Sequence, residues 1–208
     1  MLLQSLTALL QITDRRVKGP SPTFERAHLL LAFLTIGESK TIGRAALAVR
    51  SGLGEGAVRT VLKKLRQYGY ADADASGCHL TAAGKRVYET TTRKLSPTAS
   101  LQASPLTVGG YQVALAVRGA GRAVRNGIEE RDSAIKVGAA GATTYVIKED
   151  RFAIPGGSSD CERDFPSKGW PVLRNELNPR NGDAVILCGA KDETTARLGA
   201  LSAAATLL

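Results

Sequence analysis

Apolar residues recur at two periods along this chain, one helical and one alternating. In Met1–Thr13, Leu2, Leu3, Leu6, Leu9 and Leu10 fall at helical spacing. Five leucines on one face predict a helix that covers a domain or pairs with a second subunit. Gly19-Pro20-Ser21-Pro22 interrupts the pattern, and Thr23 is placed to cap a helix over Phe24–Ile36. Its Phe24, Ala27, Leu30, Leu31 and Leu34 would form a floor for the next two helices. Thr41–Arg50 is predicted as a helix with Ile42, Ala45, Ala46 and Val49 on one face. Ser51–Gly54 is a glycine-rich corner, and a helix opening near Glu55 buries Val58, Val61, Leu62 and Leu65. The other face of that helix carries Arg59, Thr60, Lys63, Lys64 and Arg66. Gly69 ends it, Tyr70–Ala75 and Cys78–Leu80 read as short strands about a turn at Ser76-Gly77, and Thr81 opens a helix continuing through Val87–Leu95.

Helix, tight corner, basic helix, two-stranded wing, helix is the order of a winged helix-turn-helix; an ordinary helical hairpin solvated by its lysines is the plainer alternative. The stretches GLGEGAVRTVLKKLRQYGYA and HLTAAGKR resemble the recognition helix, the wing and the following helix start of winged-helix transcriptional regulators of the multiple-antibiotic-resistance type. The resemblance spans about Phe24–Thr92. One departure stands out: the wing Ala71–Gly77 has no basic residue and carries Asp72 and Asp74. Those carboxylates would be repelled by a phosphate backbone, so either the wing stays off DNA or the domain binds something else.

Ser96–Ser104 is polar, uncharged and contains proline, and reads as a linker between domains at 1–95 and 105–208. Beyond it, strand and helix signals alternate. Tyr111–Val117 is a strand, Arg122–Val137 a helix, Thr143–Lys148 a strand with a hairpin partner at Arg151–Ile154, Val172–Leu177 a short helix, Asp183–Cys188 a strand and Glu193–Leu208 a helix. The fold class expected is α+β, a winged helix-turn-helix followed by an α+β effector domain on a small sheet. The whole chain is similar to an uncharacterised archaeal family that joins a winged helix to such a domain, which implies a regulator-like architecture.

Charge sharpens the picture. Residues 1–104 hold 15 Lys and Arg against 7 Asp and Glu, whereas 105–208 hold 13 against 12. A basic first half is the electrostatic footprint of a nucleic-acid partner. Nothing resembles a basic amphipathic membrane helix, and the leucine run is followed, not preceded, by Asp14-Arg15-Arg16, unlike a signal peptide. A cytoplasmic protein with no membrane partner is expected. Cys78, Cys161 and Cys188 form no C-x-x-C pair, and His28 and His79 are isolated, so no metal, cofactor or catalytic set is expected. Acids flanking Cys161 should raise its thiol pKa.

Two places in the second half suit an anion. Arg118-Gly119-Ala120-Gly121-Arg122, with Arg125 one turn on, would offer helix N-terminal amides and guanidinium groups to a phosphate or carboxylate, although Val124 stands where a full G-x-G-x-x-G motif has its third glycine, and a tight turn is the competing reading. If Val124, Ile128 and Ile135 form a buried stripe, Arg131 falls inside it and Asp132 at its edge, so Arg131 pairs with Asp132 or Glu130 or meets an anionic ligand beside Thr143 and Thr144. The uncharged helix Leu198–Leu208 must be buried, within the chain or against another copy.

The expectation is a ligand-responsive transcriptional regulator acting as a homodimer on double-stranded DNA. Arg44, Glu55, Arg59, Thr60, Lys63, Lys64 and Arg66 would form the DNA contact, and Gly119, Gly121, Arg122, Arg125, Arg131, Asp132, Thr143 and Thr144 the site of a small anionic effector. The alternative is an enzyme or small-molecule-binding protein acting on a phosphorylated or carboxylated metabolite through its second domain.

Overall fold

A computed structural model describes residues 2–12 and 26–208. The expected break at Gly19–Pro22 and the Thr23 cap lie outside the described residues. The chain is α+β with two antiparallel sheets and divides into two compact units, Met1–Thr91 and Thr92–Leu208.

In the first unit, α1 (Leu2–Gln11) buries Leu6, Leu9 and Leu10, and α2 (Arg26–Ser39) is buried from Leu29 through Ile36. Phe33 of α2 meets Tyr70 and Tyr88 at ring-centroid distances of 6.5 and 6.4 Å. Thr41–Ile42, expected as the start of a helix, is instead a strand, β1, paired with Cys78 and His79. Helix α3 runs Arg44–Ser51 and buries Leu47, Ala48 and Ser51, not the expected face: Ala45 and Ala46 are exposed and Val49 is 78% exposed. The helix starts three residues late, so its phase is set by Leu47, the largest apolar side chain it carries.

Gly52 ends α3 in the left-handed region at φ 66°, which a side chain would resist, and Leu53 N–H returns to Ala48 O at 3.1 Å. Helix α4 (Glu55–Gln67) buries Val58, Val61, Leu62 and Leu65 as expected. Strands β2 (Ala71–Asp74) and β3 (Gly77–Leu80) turn at Ala75-Ser76, and the first sheet has the order β1-β3-β2. Thr81 caps α5 (Ala82–Lys94), accepting from Gly84 N–H at 3.0 Å.

The second unit is built on a five-stranded sheet of order β4-β5-β8-β6-β7, with β4 Ala99–Leu101, β5 Tyr111–Val117, β6 Gly141–Lys148, β7 Arg151–Ala153 and β8 Ala184–Ala190. The expected linker Ser96–Ser104 is therefore not one. Ser96 donates its amide to Ala116 O at 2.9 Å and accepts Ala116 N–H at its hydroxyl at 2.8 Å, and Ala99–Leu101 pairs with β5. A three-residue edge strand shows no periodicity of its own; its neighbour makes it.

One face of the sheet packs on α7 (Cys161–Asp164) and α8 (Gly169–Leu177). Ala114, Ala116, Tyr145, Ile147, Val185 and Leu187 meet Trp170, Leu173 and Leu177 there. The other face receives α6 (Ile128–Lys136) and α9 (Glu193–Ala205). Gly199 of α9 sits so close to Cys188 Sγ that a Cβ would approach it to 2.5 Å. Every residue from Leu198 to Ala204 is buried within the single chain, so α9 leaves no apolar face that requires a second copy.

Helix α6 departs furthest from expectation. Residues 122–127 are irregular, and the helix begins at Ile128, after Asn126 accepts Ile128 N–H at 3.1 Å and Gly127 adopts φ 77°. An Asn-Gly pair breaks a helix for these reasons. Ile128 and Ile135 are 47% and 46% exposed, whereas Ala134 is fully buried and Glu130 nearly so. Close approach to α9 selects small residues, so the bulky ones mislead.

Candidate nucleic-acid interface

A groove of about 640 Å³ lies between α4 and the β2–β3 hairpin of the first unit. Because the apolar stripe of α4 is buried, the helical period turns Arg59, Lys63 and Arg66 outward into this groove. Arg44, the first residue of α3, joins them from the opposite wall. Arg44 and Arg59 also border a second hollow, shared with Glu55 at the start of α4.

Thr60 is exposed, with its hydroxyl donating to Gly56 O at 3.0 Å. Lys64 does not belong to the set: it is half-buried, and its Nζ donates to Ile12 O at 3.2 Å. It follows Lys63 by one residue, a turn of about 100° around the axis, which takes it off the groove face.

The hairpin carboxylates are exposed, each with partners of its own. Asp72 Oδ1 lies 3.1 Å from Arg66 Nε. Asp74 Oδ1 accepts the Ser76 amide at 2.7 Å and its hydroxyl at 2.5 Å, while Oδ2 lies 3.6 Å from His79 Nδ1. The Ser76 side-chain and backbone bonds hold the Asp74 carboxyl below the usual carboxylate range. Arg66 therefore offsets the Asp72 charge, whereas Asp74 stays ionised and keeps its own.

In the second unit the Arg118–Arg125 turn is not a helix N-terminus, since α6 starts at Ile128. Its two glycine amides are committed. Gly119 N–H donates to Asp183 Oδ1 and Gly121 N–H to Gly182 O, both at 2.8 Å. Gly121 is glycine because a Cβ would sit 2.9 Å from Gly182 O. Arg122 and Arg125 are exposed on this turn.

Arg131 is exposed and pairs with Asp132 at 3.0 Å, a surface contact rather than a core one. Thr143 and Thr144, adjacent in β6, point to opposite faces. Thr143 donates to Leu106 O at 2.9 Å beneath the α8 side, and buried Thr144 packs beside Gly127 on the α6 side. The eight residues expected to form one effector site are thus not brought together.

Sequence reasoning missed the residue that organises this end of the domain. Asp183 accepts from Arg118 Nη1 at 2.8 Å, Gly119 N–H at 2.8 Å and Arg180 N–H at 3.0 Å. Burial acts to raise its pKa, and the Arg118 and backbone hydrogen bonds with the Arg118 charge outweigh that, holding it below the usual carboxylate range. A depressed folded pKa contributes stability that is complete above the unfolded value, about 3.9, and is lost as pH falls through the folded one. Asp183→Asn should cost about 2–4 kcal/mol at pH 7. In urea unfolding of wild type and variant between pH 7 and pH 2, the acid-side loss should be smaller in the variant, and equal losses would refute the assignment.

The thiols are quiet. Burial raises the pKa of Cys78 and Cys161, with flanking acids only a minor contribution at Cys161, and pushes Cys188 up to about 12. Among the described residues no helix is long and apolar enough to cross a membrane.

A family described as Domain of unknown function (DUF4443) matches residues 108–207, within the five-stranded unit. The fold is shared with a solved archaeal structure. The hypothetical protein PH0730 from Pyrococcus horikoshii OT3 is 26% identical, with a TM-score of 0.67 over 87% of this chain and 91% of that one. No curated protein matches the chain.

Proposed function

We propose that this chain is a DNA-binding transcriptional regulator whose first unit is a winged helix-turn-helix, with α3 and α4 as the hairpin, α4 as the recognition helix and β2–β3 as the wing. The observation that carries this reading is the convergence of Arg44, Arg59, Lys63 and Arg66 on one groove. A helix with one face packed and the other presenting cations and a threonine matches the dimensions and charge of the DNA major groove. The arginine–glycine turn of the second unit has no part in the reading, because its glycine amides are already bonded and it opens no helix.

Fluorescence anisotropy with labelled duplex DNA across a salt series tests it. Saturable binding should give a linear log–log plot of affinity against salt, with a slope reporting the phosphates neutralised. Anisotropy that stays flat at low salt, or a clear preference for single-stranded RNA, would sink it. Within this reading Asp72 acts as a brake, since it occupies Arg66. Asp72→Asn should raise duplex affinity roughly 3- to 10-fold and steepen the salt slope by about one, as one more cation becomes free for phosphate. An unchanged slope would mean that Arg66 stays off the DNA.

A further inference from the structure

Far from the α4 groove in sequence, a hollow of about 370 Å³ is formed by the β6–β7 hairpin and the loop after it. Lys148 and Arg151 are paired across this hairpin, so their side chains leave the sheet on the same face. Like charges directly opposite each other destabilise a sheet unless an anion lies between them.

The neighbouring acids are mostly engaged elsewhere. Asp150 Oδ1 accepts from Asn181 at 3.0 Å, and Asp164 is held by Arg163 and Ser158. Asp160 Oδ1 caps α7, leaving Oδ2 3.9 Å from Arg151, the outer limit of an ion pair. Glu149 is the one acid lining the hollow.

The loop supplies the complement. Gly157 N–H donates to Ile154 O at 2.9 Å, closing a turn in which Gly156 takes φ 76°. Among the described residues the amides of Gly156, Ser158 and Ser159 have no acceptor. Val146, Ala153 and Ile154 give the hollow an apolar wall.

Two cations on one face, unspent amides in a Gly-Ser loop and an apolar wall are the recognition elements for a phosphoryl group carried on a small organic body. We propose that this hollow binds a small phosphate monoester, its phosphoryl group between Lys148, Arg151 and the loop amides and its body against Val146 and Ile154. This site is independent of the DNA-binding reading.

The test uses the full chain at constant ionic strength, titrated with inorganic phosphate and with ribose 5-phosphate. Calorimetry and amide chemical shifts are read together. Phosphate should saturate with a Kd on the order of 1 mM or tighter, and the sugar phosphate should bind more tightly. The amides of Gly156, Ser158 and Ser159 should shift in the wild type. Lys148→Gln combined with Arg151→Gln should weaken binding at least about tenfold while the melting temperature of the unliganded chain holds or rises. Shifts confined to other parts of the chain, or binding unaltered in the double variant, would overturn the proposal. So would a double variant that loses duplex DNA affinity while free phosphate fails to bind, because the cations would then serve a nucleic-acid backbone.

Discussion

The Arg59→Ala, Lys63→Ala double variant should lose duplex DNA affinity by roughly 30- to 20,000-fold at fixed salt, the sum of two contacts worth about 1–3 kcal/mol each. Its salt slope should fall by up to about two if both side chains meet phosphate, and by less if one reads a base edge. The two residues stand four apart on α4 and line the same groove, so in the proposed complex they would address neighbouring sites on one nucleic-acid strand. Both are exposed, and the stripe of Val58, Val61, Leu62 and Leu65 beneath them is untouched, so the melting temperature should hold. Lys64→Ala is the internal control. Its ammonium bonds to Ile12 O, and its removal should leave the salt slope alone. Equal binding by the double variant and wild type would remove α4 from the interface.

In the second unit the largest expected effect is on stability. Trp170→Ala should destabilise the five-stranded unit by about 3–5 kcal/mol, measured by urea unfolding followed through Tyr145 and its neighbours. Trp170 sits 5.2 Å from the Tyr145 ring and 5.0 Å from that of Phe152, which themselves stack edge to face at 5.8 Å. Its indole N–H donates to Phe165 O at 2.9 Å, so truncation opens a cavity and also orphans a carbonyl. Trp170→Phe should recover most of the packing and leave only the hydrogen-bond part of the loss. If both variants unfold like wild type, α8 is not an integral part of this core.

What could be read from sequence was what depends on local period. Tyr111–Val117 emerges residue for residue because a run of apolar residues broken only by Gln112, with glycines near both ends, is its own signal. The stripe of α4 and the start of α9 at Glu193 are equally local. What failed depends on partners. β1 is two residues that are a strand only because β3 lies beside them, and β4 is three residues completed by β5. The face of α6 was misjudged because its contact with α9 is made by Ala134 near Gly199, where smallness rather than hydrophobicity is selected. For the basic groove the cations are legible, and the step of about 100° from Lys63 already turns Lys64 away from them, where it bonds to Ile12 O. The effector constellation failed more completely, since the carboxylate that consumes the Gly119 amide lies 64 residues away.

The position of β8 in the sheet has a consequence for how the second unit is made. β8 is the middle strand, bonded to β5 on one side and β6 on the other, yet it is the last of the five along the chain. During synthesis β4–β5 and β6–β7 emerge first as two separate two-stranded ribbons, each with an open edge and neither stable alone. Only when residues 184–190 leave the ribosome can one strand zip both ribbons together, with α9 arriving at once to cover its face. For most of its translation this unit is therefore an aggregation-exposed chain, and a nascent chain halted before Ala184 should remain sensitive to protease and dependent on chaperones, however much of its length has already been made.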